Sequence, residues 1–255
     1  MSYLYHTFIA HPIINAMILI YNYLPFKDLG LAIIILTLII RFLLLPLSYK
    51  AARTQREITK VQPKLKEIQK KYKDNREEQA KQLMAIYKEH KINPLSGIIP
   101  ILIQLPVLIA LYRAFMTVID NVSNAPLYAF VAAPEAINPL FLGLVDLSKP
   151  SIALAIIAGL LQFGFSSMMK IKKSKKEKSK ASGLGAMMGS QMTYFLPIIT
   201  VLFAMRLPAG LPLYWSTTTI FSIAEQLWAK KKSKLIEEEK EKKAKEEKKE
   251  QKHIS

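Results

Sequence analysis

The chain has 255 residues, 51% of them hydrophobic, yet carries a formal net charge of +17. Apolar and lysine-rich blocks alternate, which is the composition of a polytopic membrane protein with basic loops on one side, not of a basic soluble nucleic-acid binder. Without cysteine there is no disulfide, thiolate nucleophile or lipidated cysteine, and His6, His11, His90 and His253 show no metal-ligand spacing, so no cofactor is expected.

Residues 1–27 come first. "SYLYHTFIAHPIINAMILIYNYL" is apolar but interrupted by His6, His11, Pro12, Asn15 and Asn22, and Tyr3, Tyr5, Tyr21 and Tyr23 flank it. These interruptions favour an amphipathic helix in the outer interface, with a membrane span as the alternative. The first basic residue is Lys27, so a cleaved signal peptide of the ordinary type is not expected.

Residues 28–49 form the first expected transmembrane helix, Leu29–Tyr49, whose single charge is Arg41. A guanidinium stays charged, and at mid-bilayer it costs about 2.5–3.5 kcal/mol on insertion scales. Lys50, the next charge, is ~13 Å further along the helix, beyond comfortable snorkelling reach. Thr37 shares the face of Arg41 one turn earlier, and Pro46 leaves the carbonyl of Phe42 without its helical donor. Asp120 and Asp146 fall in the outer loop and Glu225 near the inner end of the last span, so water rather than a fixed carboxylate is expected to serve Arg41.

Residues 50–94 read as a cytoplasmic helical hairpin. Ile58, Val61, Leu65, Ile68 and Tyr72 follow 3-4-3-4 spacing, and Ala80, Leu83 and Tyr87 continue the seam after a "KDN" turn. Pro63 is the expected kink of the first arm.

Residues 95–229 hold four further spans: Leu95–Ile119, Ser151–Met169, Met187–Met205 and Ala209–Ala229. An extracytoplasmic loop (120–150) and a basic cytoplasmic loop (170–186) lie between them. Gln104 sits mid-span between Pro100 and Pro106. Ser151, Ala155, Ala158, Gly159, Gln162 and Ser166 line up as a small or polar stripe, for which helix packing is the favoured reading. Tyr214, Thr218, Ser222 and Glu225 form a second stripe on the last span.

The tail, 230–255, is basic, helix-prone and too polar for a core. Anionic lipid and ribosomal RNA are both electrostatically suitable partners. Of the 36 Lys and Arg residues, 13 fall in 50–94, 7 in 170–180 and 11 in 230–255. That asymmetry puts these segments and the C terminus in the cytoplasm, and the N terminus outside.

Enzyme chemistry finds no footing. Ser167-Met-Met-Lys170 matches S-x-x-K but lacks companion motifs, and the chain has no phosphate loop, HExxH or GxSxG. Met168, Met169, Met187 and Met188 flank the basic loop and suit interfacial packing.

"QPKLKEIQKKYKDNREEQAKQLMAIYKEHKINPLSGIIPILIQLPVLIALY", "PAGLPLYW" and Arg41 within "TLIIRFLLLPL" closely resemble the YidC family of membrane protein insertases, over about residues 2–229. The form resembled is the short one of Gram-positive bacteria, though without its usual N-terminal lipobox cysteine. The resemblance implies a plasma-membrane protein of five transmembrane helices around a hydrophilic groove open to cytoplasm and lipid, with an outer amphipathic helix and the cytoplasmic hairpin. It also implies that Arg41, Thr37 and Gln104 line the groove, and that Tyr214 and Trp215 contact substrate; Gln162 and Thr218 are added as neighbouring polar groups. Nascent membrane proteins, the Sec translocon and the ribosome are the implied partners. The alternative is a transporter or channel for a small anionic solute, against which stands the absence of an internal repeat.

Overall fold

The structure, a computed structural model, describes residues 2–93, 99–168 and 184–254, with side chains over 3–54, 57–93, 102, 104–168 and 194–232. Most of the basic loop 170–186, including Lys170, lies outside the described residues with the preceding Met169, as do the side chains of Met187, Met188 and the tail beyond Lys232.

The N-terminal segment is one rod: α1 (Ser2–Tyr5), a π-helical turn (His6–Ala10) and α2 (His11–Tyr23), with right-handed helical angles at both junctions. Pro12 falls in the first turn of α2. Helix α3 (Leu29–Lys71) starts at Asp28, whose carboxylate accepts from the Leu31 N–H at 2.9 Å. It continues through Pro46 and Pro63, so the first expected span and the first hairpin arm are one helix of 43 residues. At 1.5 Å per residue that is ~65 Å, about twice a bilayer's hydrocarbon core, so roughly half of it must project beyond the membrane.

Helix α4 (Arg76–Glu89) follows the "KDN" turn, capped by Asn75, which accepts from the Glu78 N–H at 3.0 Å. Gln79 donates to the carbonyls of Gln69 (3.0 Å) and Tyr72 (3.3 Å), clipping the turn closed. The hairpin has its own small core of Val61, Leu65 and Ile92, with Ile58, Leu83, Ile86 and Tyr87 against it. Ala80, expected in the seam, is exposed, and Ile86 takes part instead.

Helix α5 (Ile99–Asn121) leads into a loop containing a two-strand hairpin, β1 (Leu140–Phe141) paired antiparallel with β2 (Val145–Asp146). Leu142 and Gly143 turn it with positive φ of 52° and 70°. Helices α6 (Ile152–Met168), α7 (Leu184–Ala204) and α8 (Gly210–Ile254) complete the chain. Helices α6 and α7 pack antiparallel: Phe163 meets Tyr194 at 5.7 Å, and a Cβ on Gly159 would overlap the side chain of Val201. Helices α3 and α8 run parallel. Phe42 meets Phe221 at 5.2 Å between ring centroids, Tyr49 meets Trp228 at 5.5 Å, and both pairs share an offset of 179 residues.

Three described helices are long and apolar enough to cross a membrane: Tyr3–Tyr23, Leu29–Lys71 and Gln104–Asn124. Ile152–Met168 and Tyr194–Ala204 are shorter apolar helices. Large apolar side chains stand exposed on the bundle, among them Phe42, Leu43, Ile109, Leu160, Leu202 and Ile220. A soluble monomer would not tolerate such a surface; lipid contact accounts for it. The chain is thus an all-α polytopic membrane protein.

The large core lies at one end of the bundle, the end carrying Asp28 and the loop 122–151. Met17, Ile18 and Tyr21 meet Leu29, Ile33 and Leu36 of α3, Leu111, Phe115 and Val118 of α5, Leu147 of the loop, and Leu213 of α8. Below it packing stops abruptly. No residue of α3 from Leu38 to Ala51, and none of α8 from Ile220 to Trp228, is buried.

Candidate functional site

That boundary in packing is where Arg41 sits. Thr37, one turn above it, is 1% exposed. Its hydroxyl donates to the Ile33 carbonyl at 2.6 Å, so Thr37 belongs to the last layer of the core and its donor is already engaged. Arg41 is half-buried and, among the described residues, makes no hydrogen bond and no ion pair within 4 Å.

The α3–α8 offset puts Arg41 level with Ile220. The polar stripe of α8 therefore brackets it: Tyr214 and Thr218 on the packed side, Ser222 and Glu225 on the unpacked side. Glu225 is ~7.5 Å along the axis from the level of Arg41. Arg41 interacts electrostatically with both Tyr214 and Glu225. The sequence places Glu225 near the inner end of the last span and expects no fixed ion pair with Arg41, and none within 4 Å joins them; the parallel pairing of α3 and α8 adds the register between the two.

Tyr214 is 2% exposed, and Gln104 of α5 donates its side-chain N–H to the Tyr214 hydroxyl. This bond joins α5 to α8 beside Arg41. Thr218 lies one turn from Tyr214, close enough to act on the phenol, but its Oγ1 has no hydrogen-bond partner in good geometry. Glu225 Oε1 is likewise buried without a partner. Two unsatisfied oxygens on one face, beside an unpaired guanidinium, form a site whose polar atoms need water or a visiting group. Trp215 points elsewhere, lining with Leu108, Ile109, Tyr112, Leu207 and Leu211 an apolar cleft of about 220 Å³ between α5 and the start of α8.

Gln162 of α6 is half-buried, and its side-chain N–H lies 3.5 Å from the Ser166 hydroxyl. No bond joins it to Arg41 or Gln104. The remaining small-residue stripe packs: Ala155 and Ala158 are buried, and Gly159 admits Val201.

The opposite end of the bundle is tied shut. Asn15 donates to the Pro126 carbonyl at 3.0 Å and accepts from the Tyr128 N–H at 2.6 Å. Asn22 donates to the Ala132 carbonyl at 2.7 Å, and the Tyr21 hydroxyl accepts from the Asn138 N–H at 2.9 Å. Asp28 also accepts from the Leu142 N–H at 2.6 Å. The first N–H groups of α8 are served by the carbonyls of Lys149 (2.9 Å to Ala209) and Leu147 (3.2 Å to Gly210). The sequence showed Asn15 and Asn22 only as interruptions; their loop partners lie more than a hundred residues away.

Among the described residues no group of three or more His, Asp or Glu could hold a metal ion.

Comparison with known proteins agrees with this architecture. Residues 19–239 match the model of the family described as 60Kd inner membrane protein. The chain is 33% identical over 223 residues to the membrane protein insertase YidC of Clostridium tetani, covering 88% of this chain and 89% of that protein. It is 32% identical over 225 residues to the protein of the same description in Pelobacter propionicus, covering 88% of this chain but 39% of the relative. For Citrifermentans bemidjiense the figures are 30% over 223 residues, 88% and 37%. The chain thus spans under half the length of the last two relatives and most of the clostridial one. With a match running from the second half of α2 into α8, on a mostly helical membrane scaffold, the chain belongs to the 60Kd inner membrane protein family.

Proposed function

We propose that this chain is a membrane protein insertase of the bacterial plasma membrane: it moves short extracytoplasmic segments of nascent membrane proteins across the bilayer and releases their helices into lipid. It acts alone or with the Sec translocon, and no bond is made or broken. The observation that carries the reading is an unpaired, half-buried Arg41 placed where core packing ends. Above it, the core and the loop tethers close one end; just below it, α3 from Leu38 to Ala51 and α8 from Ile220 to Trp228 bury no residue. Water entering from the hairpin side would reach Arg41 and stop there.

In this account five helices, α3 and α5 to α8, cross the membrane around a groove. The N-terminal rod lies at the outer face, although it is long and apolar enough to cross. The support is its tethering: Asn15 and Asn22, ~10 Å apart along the helix axis, both bond the loop segment 126–132. The N terminus is outside and the C terminus cytoplasmic. Arg41 attracts an acidic segment, with Gln104, Tyr214 and Thr218 offering hydrogen bonds around it and Trp215 an apolar contact beside it. Thr37 shapes the groove's ceiling, and Gln162 adds a polar group on α6. Transfer of the substrate helix to lipid drives release, since ~0.8 kcal/mol per buried CH₂ over a whole span outweighs a few kcal/mol for one displaced charge. The hairpin receives the nascent segment, while the basic tail docks on the ribosome or on anionic lipid.

The test is reconstitution in liposomes with a short single-span substrate bearing an acidic outer segment. Arg41→Ala is expected to lower insertion at least tenfold, with Arg41→Lys partly active. Insertion unchanged in Arg41→Ala refutes the groove-charge mechanism. Flux of a small anion without any insertion would favour a transporter instead.

A further inference from the structure

Arg41 is not the only charge at the packing boundary. Glu225 lies on the α8 face that carries Tyr214 and Thr218, ~7.5 Å along the axis from the level of Arg41, and the two interact electrostatically. Yet they are not locked together: no ion pair within 4 Å joins them, and Glu225 Oε1 is buried without any hydrogen-bond partner. Neighbouring lysines do not neutralise Glu225 either. Lys230 and Lys231 are exposed, and the ammonium of Lys232, two turns on, sits 5.4 Å from the Tyr49 ring and 5.3 Å from the Trp228 ring.

A locked Arg–Glu pair would neutralise the charge of Arg41 and weaken its pull on an acidic ligand. A lone arginine would hold any acidic segment strongly and release it slowly. An opposite charge one step away, in range but not bonded, gives an intermediate state in which Arg41 is partly compensated and still exchangeable.

We propose that Glu225 is a specificity-determining residue, the resting counter-charge of Arg41, which sets how strongly the site prefers acidic over neutral substrate segments. This rests on the insertase reading above. The groove then reads the sum of the two charges. The axial offset is a lower bound on the separation; for unit charges on the order of 10 Å apart, removing Glu225 strengthens the attraction for a carboxylate at Arg41 by about twofold at a dielectric of ~80 and about sixteenfold at ~20.

The experiment uses the full chain in liposomes and two substrates that differ only in the outer segment, one with two aspartates and one with asparagines in their place. The readout is the ratio of their insertion rates, acidic over neutral, which a uniform loss of folded protein does not change. The expected order is Glu225→Gln highest, wild type and the Arg41→Gln/Glu225→Gln double variant similar, and Arg41→Gln lowest. A Glu225→Gln ratio equal to wild type overturns the assignment. Should Glu225→Gln give no folded protein, the exchange Arg41→Glu/Glu225→Arg decides. Recovery toward the wild-type ratio supports the counter-charge, and a ratio as low as Arg41→Glu alone overturns it. If wild type inserts neither substrate, the insertase reading itself fails and takes this assignment with it, an outcome distinct from a wild type that inserts with an indifferent Glu225.

Discussion

Asp28 holds two parts of the closed end at once. It is 5% exposed, caps α3 through the Leu31 N–H at 2.9 Å, and holds the loop hairpin through the Leu142 N–H at 2.6 Å. Replacing it with alanine removes a helix cap, worth about 1 kcal/mol, and strands the Leu142 N–H, worth about 1–3 kcal/mol. The expected cost is therefore about 2–4 kcal/mol, or roughly 4–16 °C in melting temperature for a chain of this length. Asparagine separates the two contributions. Its amide oxygen can still accept from Leu31, but its NH₂ cannot accept from Leu142, so the loss expected is only the stranded N–H, about 1–3 kcal/mol. Thermal unfolding in detergent, followed by circular dichroism, measures both. If Asp28→Ala lies within about 0.5 kcal/mol of wild type, or Asp28→Asn costs as much as Asp28→Ala, the bridging role of Asp28 is wrong.

At the α6–α7 contact, Gly159→Ala forces a methyl into Val201 and is expected to cost about 1–3 kcal/mol, read by the same melt; the paired change Gly159→Ala/Val201→Ala should recover much of it. The Ser148 hydroxyl, then the Lys149 ammonium, hold the Asp146 carboxylate below its usual pKa of 3.8. A depressed folded pKa means the contribution is full above that ordinary value and is lost as pH falls below it through the depressed one. Melting temperature between pH 6 and 2.5 should therefore fall more in wild type than in Asp146→Asn, by a small amount because the group is at the surface.

Local signals reached the hairpin well. The 3-4 spacing at Val61 and Leu65 marks its buried seam, and "KDN" marks its turn, because both depend on neighbours within a few residues. The same spacing misplaced Ala80, since which residue of α4 faces α3 depends on how the turn closes. That Arg41 lies well inside a long apolar helix was readable from the sequence. Its surroundings were not: Thr37 looked like an available hydroxyl, but burial and a bond to the Ile33 carbonyl engage it. Glu225 looked remote, because the offset between two parallel helices separated by most of the chain is set by packing at Phe42–Phe221 and Tyr49–Trp228. Asn15 and Asn22 looked like defects in an apolar helix for the same reason, their partners being loop backbone groups far away in sequence.

Water is expected to reach Arg41 from one side only, and the absence of cysteine from the sequence makes that measurable with single-cysteine variants. Ser222, half-buried, is two residues past the level of Arg41 on the unpacked side; Ser216, 5% exposed, is level with Thr37 in the packed layer. In oriented membranes, a membrane-impermeant thiol reagent should label Ser222→Cys when added on the hairpin side and not on the loop side. Ser216→Cys should resist it from both. A Ser222→Cys that reacts from neither side, or one that reacts from the loop side, would contradict a groove that opens toward the hairpin and ends at Arg41.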